Sequence, residues 1–232
     1  MGKDVIIACD FPTLGETLAF LHGFGEHRPF VKIGMELFYA EGPEAVRSLK
    51  ARGHKVFLDL KLHDIPNTVK RAMSVLSKLE VDMCNVHAGG TVKMMEAAVE
   101  GLTREDGTRP LLIAVTQLTS TSTEQLHRDL LIGGNMNDVV GHYAKNSRKA
   151  GLDGVVCSPL EAGDVHRLCG DDFLTVTPGV RLAGDSKGDQ TRVTTPAMAR
   201  ELGSDYIVVG RSITAAEEPL EAYERCLREF IG

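Results

Sequence analysis

The chain has 232 residues, with 26 Lys and Arg against 32 Asp and Glu, for a formal charge of −6. Hydrophobic residues make up 43%, enough to build a core, which excludes wholesale disorder, and the acidic balance argues against broad nucleic-acid binding. The apolar run at residues 5–8 is too short for a signal-peptide core or a membrane span, so a soluble, untargeted, cytoplasmic protein is expected.

The first strand is predicted at residues 5–8 and runs into Asp10. Thr13 and Glu16 then have capping-box spacing ahead of Leu18 and Leu21. The second strand, 30–33, carries Lys32 inside an apolar run, and Pro43 and Gly53 bracket the next helix. The third strand, 56–60, continues into Lys61-Leu62-His63-Asp64, and Pro66 opens a helix bearing Val69, Met73, Leu76 and Leu79. The fourth, 83–86, ends in Asn85-Val86-His87, and Thr91 is expected to cap the helix carrying Met94, Met95 and Ala98.

The fifth strand, 111–115, precedes a polar loop at 117–123, whose hydroxyls suit hydrogen bonding to a heterocycle; Thr121, three residues before Glu124, is assigned as a helix cap. A stripe of Val139, Val140, Tyr143 and Ala144 marks a further helix before the sixth strand, 154–157. The seventh, 173–177, leads into Pro178-Gly179-Val180-Arg181 and a polar stretch, 182–190, expected to be a lid in which Gln190 closes over phosphate or base. Thr195-Pro196 opens a helix, the eighth strand is 206–209 with Gly210-Arg211-Ser212 at its end, and a last helix runs near 220–230.

These eight runs are near-continuous apolar stretches, as in parallel strands covered by helices on both sides. A doubly wound nucleotide-binding sheet usually places a glycine loop after its first strand. Here that position reads Cys9-Asp10-Phe11-Pro12. Eight strand–helix units in a chain of this length instead fit a (β/α)₈ TIM barrel, one domain over 1–232, with an insertion between the fifth and sixth strands. The five cysteines form no C-x-x-C pair, and buried reduced thiols are the simplest account.

A barrel carries its chemistry at the C-terminal ends of its strands. Period-two alternation puts Asp59 and Lys61 on one face of the third strand and Leu58, Leu60 and Leu62 on the other. A structural ion pair closing the barrel accounts poorly for Asp59 and Lys61 once Asp10, Lys32 and Asp64 are counted at the same mouth. Alternating charge suits a lysine that holds its proton until a carbanion forms, which makes Lys61 a general acid toward carbon. Flanking carboxylates oppose Schiff-base chemistry. Asp59, His63, Asp64 and His87 are possible metal ligands, but Lys61 and Lys32 would repel a divalent ion; His87 also reads as a hydrogen-bonded wall residue. Gly179, Arg181, Gly210 and Arg211, at the ends of the last two strands, suit a phosphate dianion, the alternative being a surface turn with a solvated arginine.

The run Asp59-Leu60-Lys61-Leu62-His63-Asp64-Ile65-Pro66-Asn67-Thr68 closely resembles the signature of the orotidine 5′-phosphate decarboxylase family, in its compact bacterial form. The resemblance extends from Ile7-Ala8-Cys9-Asp10 to Val209-Gly210-Arg211-Ser212 and includes Val31-Lys32-Ile33-Gly34-Met35-Glu36 and Val115-Thr116-Gln117-Leu118-Thr119-Ser120. It implies a homodimeric TIM barrel that converts orotidine 5′-monophosphate to uridine 5′-monophosphate and CO₂, the last step of de novo UMP synthesis, with no metal and no organic cofactor. In that family Lys61, Asp59 and Asp64 would form the catalytic group, with Lys61 protonating C6 of the pyrimidine. Asp10 and Lys32 would bind ribose hydroxyls, while Asp64 and Thr68 would reach into the neighbouring subunit's site. Thr119 would sit at the pyrimidine edge, and Arg181, Gln190, Gly210 and Arg211 would hold the phosphate. The nearest rivals, phosphosugar decarboxylases and aldolases of the wider group, use Mg²⁺ and an acidic ligand on the second strand, where this chain has Lys32. A non-catalytic ligand-storage barrel would explain the phosphate residues but not the converging charges.

Overall fold

The computed structural model describes residues 3–185 and 193–232. Among them, eight parallel strands close into a barrel in sequence order: β1 (Asp4–Ala8), β2 (Phe30–Gly34), β3 (Val56–Leu62), β4 (Met83–His87), β5 (Leu111–Val115), β6 (Gly154–Val156), β7 (Leu174–Thr177) and β8 (Tyr206–Val209), with β8 pairing back onto β1. The strands agree with the expected runs to within two residues at either end.

Alternation along the strands produces two apolar layers. Ile6, Ala8, Phe30, Phe57, Met83, Ile113, Val176 and Val208 pack together as one buried cluster, the filled interior of the barrel. Their strand neighbours Val5, Ile7, Val31, Ile33, Leu58, Cys84 and Leu112 belong to a larger cluster shared with the helices. Both faces of each strand are thus covered, which is why the strands read as continuous apolar runs.

The outer layer contains α1 (Leu14–His22), α2 (Met35–Glu41), α3 (Pro43–Ala51), α4 (Pro66–Leu76), α5 (Thr91–Leu102), α6 (Thr123–Arg128), α7 (Met136–Lys149), α8 (Pro159–Cys169), α9 (Pro196–Glu201), α10 (Arg211–Thr214) and α11 (Pro219–Ile231). Thr13 caps α1 and Thr195 caps α9, as expected. The expected insertion between the fifth and sixth strands is α6 followed by α7.

Two expected caps are corrected. Ser122, not Thr121, caps α6, because its hydroxyl and the Gln125 side chain form the reciprocal capping box. Thr91 lies inside α5 with φ 75°, and the N-cap position is Gly90. The pattern also passed over α8, although Ser158-Pro159-Leu160-Glu161 is a capping box with Pro at the first helical position.

The N-terminal rim of the barrel is closed by aspartates that stand just before three strands. Asp82 accepts from the Val56 N–H at 2.7 Å, Asp153 from the Leu112 N–H at 2.7 Å, and Asp205 from the Thr175 N–H at 2.8 Å. Lys50 pairs with Asp82 at 2.6 Å, and Arg109 forks onto both oxygens of Asp153. These contacts satisfy backbone donors at strand starts and belong to stability, opposite the face that carries the chemistry. Cys9, Cys84, Cys157 and Cys226 are buried, and Cys169 is partly exposed. Among the described residues no helix is long and apolar enough to cross a membrane.

Candidate active site

Four charged side chains join at the C-terminal mouth of the barrel. Asp10 follows β1, Lys32 is on β2, and Asp59 and Lys61 are on β3. Lys32 Nζ lies 2.9 Å from Asp10 Oδ1 and 3.3 Å from Asp59 Oδ2, and Lys61 Nζ lies 2.7 Å from Asp59 Oδ1. The charges alternate along this chain: minus, plus, minus, plus. Gly34 makes room for it, since a Cβ there would stand 3.3 Å from Asp10 Oδ1 and 3.4 Å from Lys32 Nζ.

Burial pushes the Asp59 carboxyl upward. Lys32 and Lys61, with hydrogen bonds from Lys61 and Asn85, outweigh it and hold Asp59 below the usual carboxylate range. Burial likewise pushes the Lys32 ammonium down, and Asp59 and Asp10 outweigh that to leave it above the ordinary lysine value. Both groups are therefore charged at neutral pH, although each is under 10% exposed. Asp10 stands at the wet end, with 58% of its side chain exposed.

Asp59 and Lys61 meet by a route that simple alternation does not describe. Leu58 pairs with Cys84 and Leu62 with Val86, so four steps on β3 span two steps on β4 and the ladder is interrupted between them. Within this bulge Lys61 has φ 52°, a left-handed conformation that costs a non-glycine residue about 1–2 kcal/mol. The Lys61 N–H donates to Asn85 Oδ1 at 2.8 Å, and Asn85 Nδ2 donates to Asp59 Oδ1 at 2.6 Å. Asn85 was visible only as the end of an apolar strand. Its signal was a lone buried amide on the same face as Met83 and His87.

A cavity of about 220 Å³ opens beside this chain of charges, lined by Lys32, Asp59, Lys61, Gln117, Thr119 and Ser120 on its polar side and by Phe57, Val115, Val156 and Val208 on its apolar side. A second, of about 460 Å³, shares Lys32, Pro178 and Val208 with it and adds Asp10, Gly179, Arg181, Gly210 and Arg211. The expected phosphate residues of the last two strands thus line one concavity, adjoining the charged mouth. Gly179 has φ 83°, which a side chain would strain.

Asp64 and Thr68 are not brought into this group. Both are exposed within the single chain, and Asp64 Oδ1 accepts from the Ile65 N–H at 2.6 Å. The reading of five charges at one mouth is therefore corrected to four in one chain: β3 ends at Leu62, and Asp64 follows in the loop before α4. Gln190 lies outside the described residues. The His63 and His87 rings lie tilted at 40° to each other with centroids 5.7 Å apart, and burial, then His63 and Lys61, lower the His87 pKa. Among the described residues no group of three or more His, Cys, Asp and Glu side chains is arranged to hold a metal ion.

A family model described as orotidine 5′-phosphate decarboxylase / HUMPS family matches residues 3–226. The chain belongs to this family. A relative from Bacillus mycoides, named orotidine 5′-phosphate decarboxylase, is 56% identical over 100% of this chain and 99% of its own length. Among solved structures, orotidine 5′-phosphate decarboxylase from Lactobacillus acidophilus superposes with a TM-score of 0.89 at 43% identity, covering 99% of this chain and 100% of that one. An uncharacterized conserved protein from Geobacillus kaustophilus superposes with a TM-score of 0.87 at 50% identity, covering 97% and 99%. Within the decarboxylase / HUMPS family, then, this member has Lys32 on β2 and Glu36 beyond it, exposed in the first turn of α2.

Proposed function

We propose that the chain is an orotidine 5′-phosphate decarboxylase, a carbon–carbon lyase that converts orotidine 5′-monophosphate to uridine 5′-monophosphate and CO₂. The observation that carries this reading is the alternating Asp10–Lys32–Asp59–Lys61 chain of ion pairs, set at a barrel mouth beside an arginine-lined concavity.

The bond from C6 to the carboxylate breaks, CO₂ leaves, and the electron pair stays on C6 in the plane of the ring. That pair gains little from π delocalisation, so stabilisation must come from charge fixed in place beforehand. Lys61 supplies it and transfers its Nζ proton to C6; solvent then restores the lysine. Asp59 orients Lys61 and stands near the departing carboxylate. Lys32 and Asp10 bind the ribose hydroxyls. Thr119 meets the pyrimidine edge. Arg181, Gly210 and Arg211, with Gln190, hold the phosphate, whose binding energy helps fix the base against the charges.

The reaction needs neither metal nor organic cofactor, a reading supported by the two ammonium groups at the mouth, which oppose a divalent cation. The active unit is a homodimer in which Asp64 and Thr68 cross into the partner's site; their exposure, with Ile65 67% exposed beside them, supports this. The chain works as one domain over 1–232 in the cytoplasm.

The deciding assay follows pyrimidine absorbance and CO₂ release from orotidine 5′-monophosphate in EDTA, with Lys61→Ala alongside. Turnover by the parent, lost in a folded Lys61→Ala protein, is the expected result. Turnover that needs Mg²⁺, or that survives in the variant, would overturn the assignment. Mixing Asp64→Ala and Lys61→Ala proteins should restore some activity through hybrid sites; no recovery after proven subunit exchange would reject the shared site.

A further inference from the structure

Asn85 stands at the one place where the charged mouth meets the interrupted ladder. It is 1% exposed, and both ends of its amide are committed, Oδ1 to the Lys61 N–H at 2.8 Å and Nδ2 to Asp59 Oδ1 at 2.6 Å. This fixes the amide's orientation: flipped, it would turn an NH₂ toward an N–H and a carbonyl toward a carboxylate.

We propose that Asn85 is a positioning residue for the proton donor: its amide takes the place of the missing β4 ladder partner, locks the Lys61 backbone in its left-handed turn, and aims Asp59 so that both Asp59 oxygens face ammonium groups. The inference rests on the reading of Lys61 as the group that protonates C6. It goes further by assigning the Asp59–Lys61 geometry to β4 as well as to β3.

The physical logic is a balance of strain against bonding. A lysine at φ 52° returns to extended backbone when nothing holds it. Extended backbone would close the bulge between Leu58 and Leu62 and shift Lys61 relative to Asp59. The groups that face Asp59 and set its titration are Lys32 from β2, Lys61 on its own strand and Asn85 from β4. His87 and, beyond it, His63 lie on the Lys61 side, and Asp10 acts through Lys32. Removing the Asn85 donor leaves one fewer bond to the carboxylate, so protonation of Asp59 becomes easier.

Two variants delete the bonds. Asn85→Leu removes both at similar size. Asn85→Ala also removes both, with less bulk and no added charge beside Asp59. Each is compared with the parent for kcat and KM on orotidine 5′-monophosphate, the pH profile of kcat/KM, thermal unfolding, uridine 5′-monophosphate affinity, and ¹³C-detected titration of the Asp59 carboxyl. For Asn85→Leu, kcat should fall by roughly 10–100-fold, the worth of a hydrogen bond to a charged group. KM and product affinity should change by less than about threefold, since a positioning residue acts in the transition state. The acid limb and the Asp59 midpoint should move to higher pH in both variants.

A folded Asn85→Leu protein with kcat within about twofold of the parent, or an unmoved Asp59 midpoint, would overturn the proposal. So would a variant whose only change is a lower Tm. If Asn85→Leu fails to fold, the Asp59 midpoint and kcat of Asn85→Ala decide by the same criteria. A parent that binds uridine 5′-monophosphate but releases no CO₂ would overturn the functional reading. The Asp59 titration, which needs no turnover, would then still support or reject the role of Asn85 in aiming that carboxylate.

Discussion

Replacing Asp59 by Asn keeps the shape of the site and deletes the charge that two ammonium groups share. At an effective dielectric of about 20, a pair at 2.7 Å is worth roughly 6 kcal/mol of attraction and one at 3.3 Å roughly 5 kcal/mol. Most of that offsets the desolvation of the three groups. In Asp59→Asn the desolvation of the two ammonium groups remains and their attraction to Asp59 is gone, so the loss should approach the 3–5 kcal/mol typical of breaking a buried pair. Lys61 keeps 25% of its side chain in solvent and can turn away, so the lower end, about 3 kcal/mol, is expected.

Urea unfolding of both proteins at one fixed protein concentration measures the difference. Its pH dependence follows from the depressed Asp59 pKa. The folded value lies below the unfolded one, near 4, so the stabilisation is complete above about pH 5 and is lost as pH falls through the folded value. The gap between parent and variant should stay level from about pH 8 to 5 and close below about pH 4. A gap under about 1 kcal/mol, or one that does not narrow on acidification, would refute the view of Asp59 as the shared counter-ion.

Three further outcomes are expected. Arg211→Ala should lower kcat/KM for the phosphorylated substrate by roughly 10–100-fold, the worth of a charged hydrogen bond, and leave the free nucleoside nearly unaffected; equal losses on both would reject its phosphate role. Two glycines should answer alanine with opposite signs in thermal unfolding. Gly101→Ala drives a methyl into the Lys70 backbone carbonyl where α5 crosses α4 and should cost about 1–3 kcal/mol, whereas at exposed Gly15 in α1 a methyl would meet only the Thr13 hydroxyl at 3.9 Å, an ordinary contact, and should gain about 0.5–1 kcal/mol; matching signs would contradict the packing. Burial pushes the Cys9, Cys84 and Cys226 thiols up to about 12, so in the folded protein at pH 8 a thiol-disulfide reagent should modify only Cys169, which is partly exposed; rapid loss of two or more thiols per chain would count against the burial.

Much of this protein was legible without coordinates because the relevant signals are local. Strand runs, Pro at helix starts and the capping pairs at Thr13 and Thr195 depend on residues within a few positions of each other. Eight such units in succession leave few ways to bury continuous apolar strands, and the barrel follows. Asp10, Lys32, Arg181 and Arg211 could be picked out because each stands at or near the end of a strand, where a barrel gathers its loops.

What the tertiary structure alone decided is how those ends meet. The order Asp10–Lys32–Asp59–Lys61 depends on the register of three neighbouring strands. The bulge in β3 breaks the period-two rule at Lys61, and Asn85, 24 positions away, supplies the bond that accommodates it. Asp64 reads as one more charge at the mouth, but it follows the end of β3 and faces solvent in the single chain. Local sequence sets which faces are apolar. Long-range register sets the distances between charges, and a charge network depends on distance far more steeply than burial does.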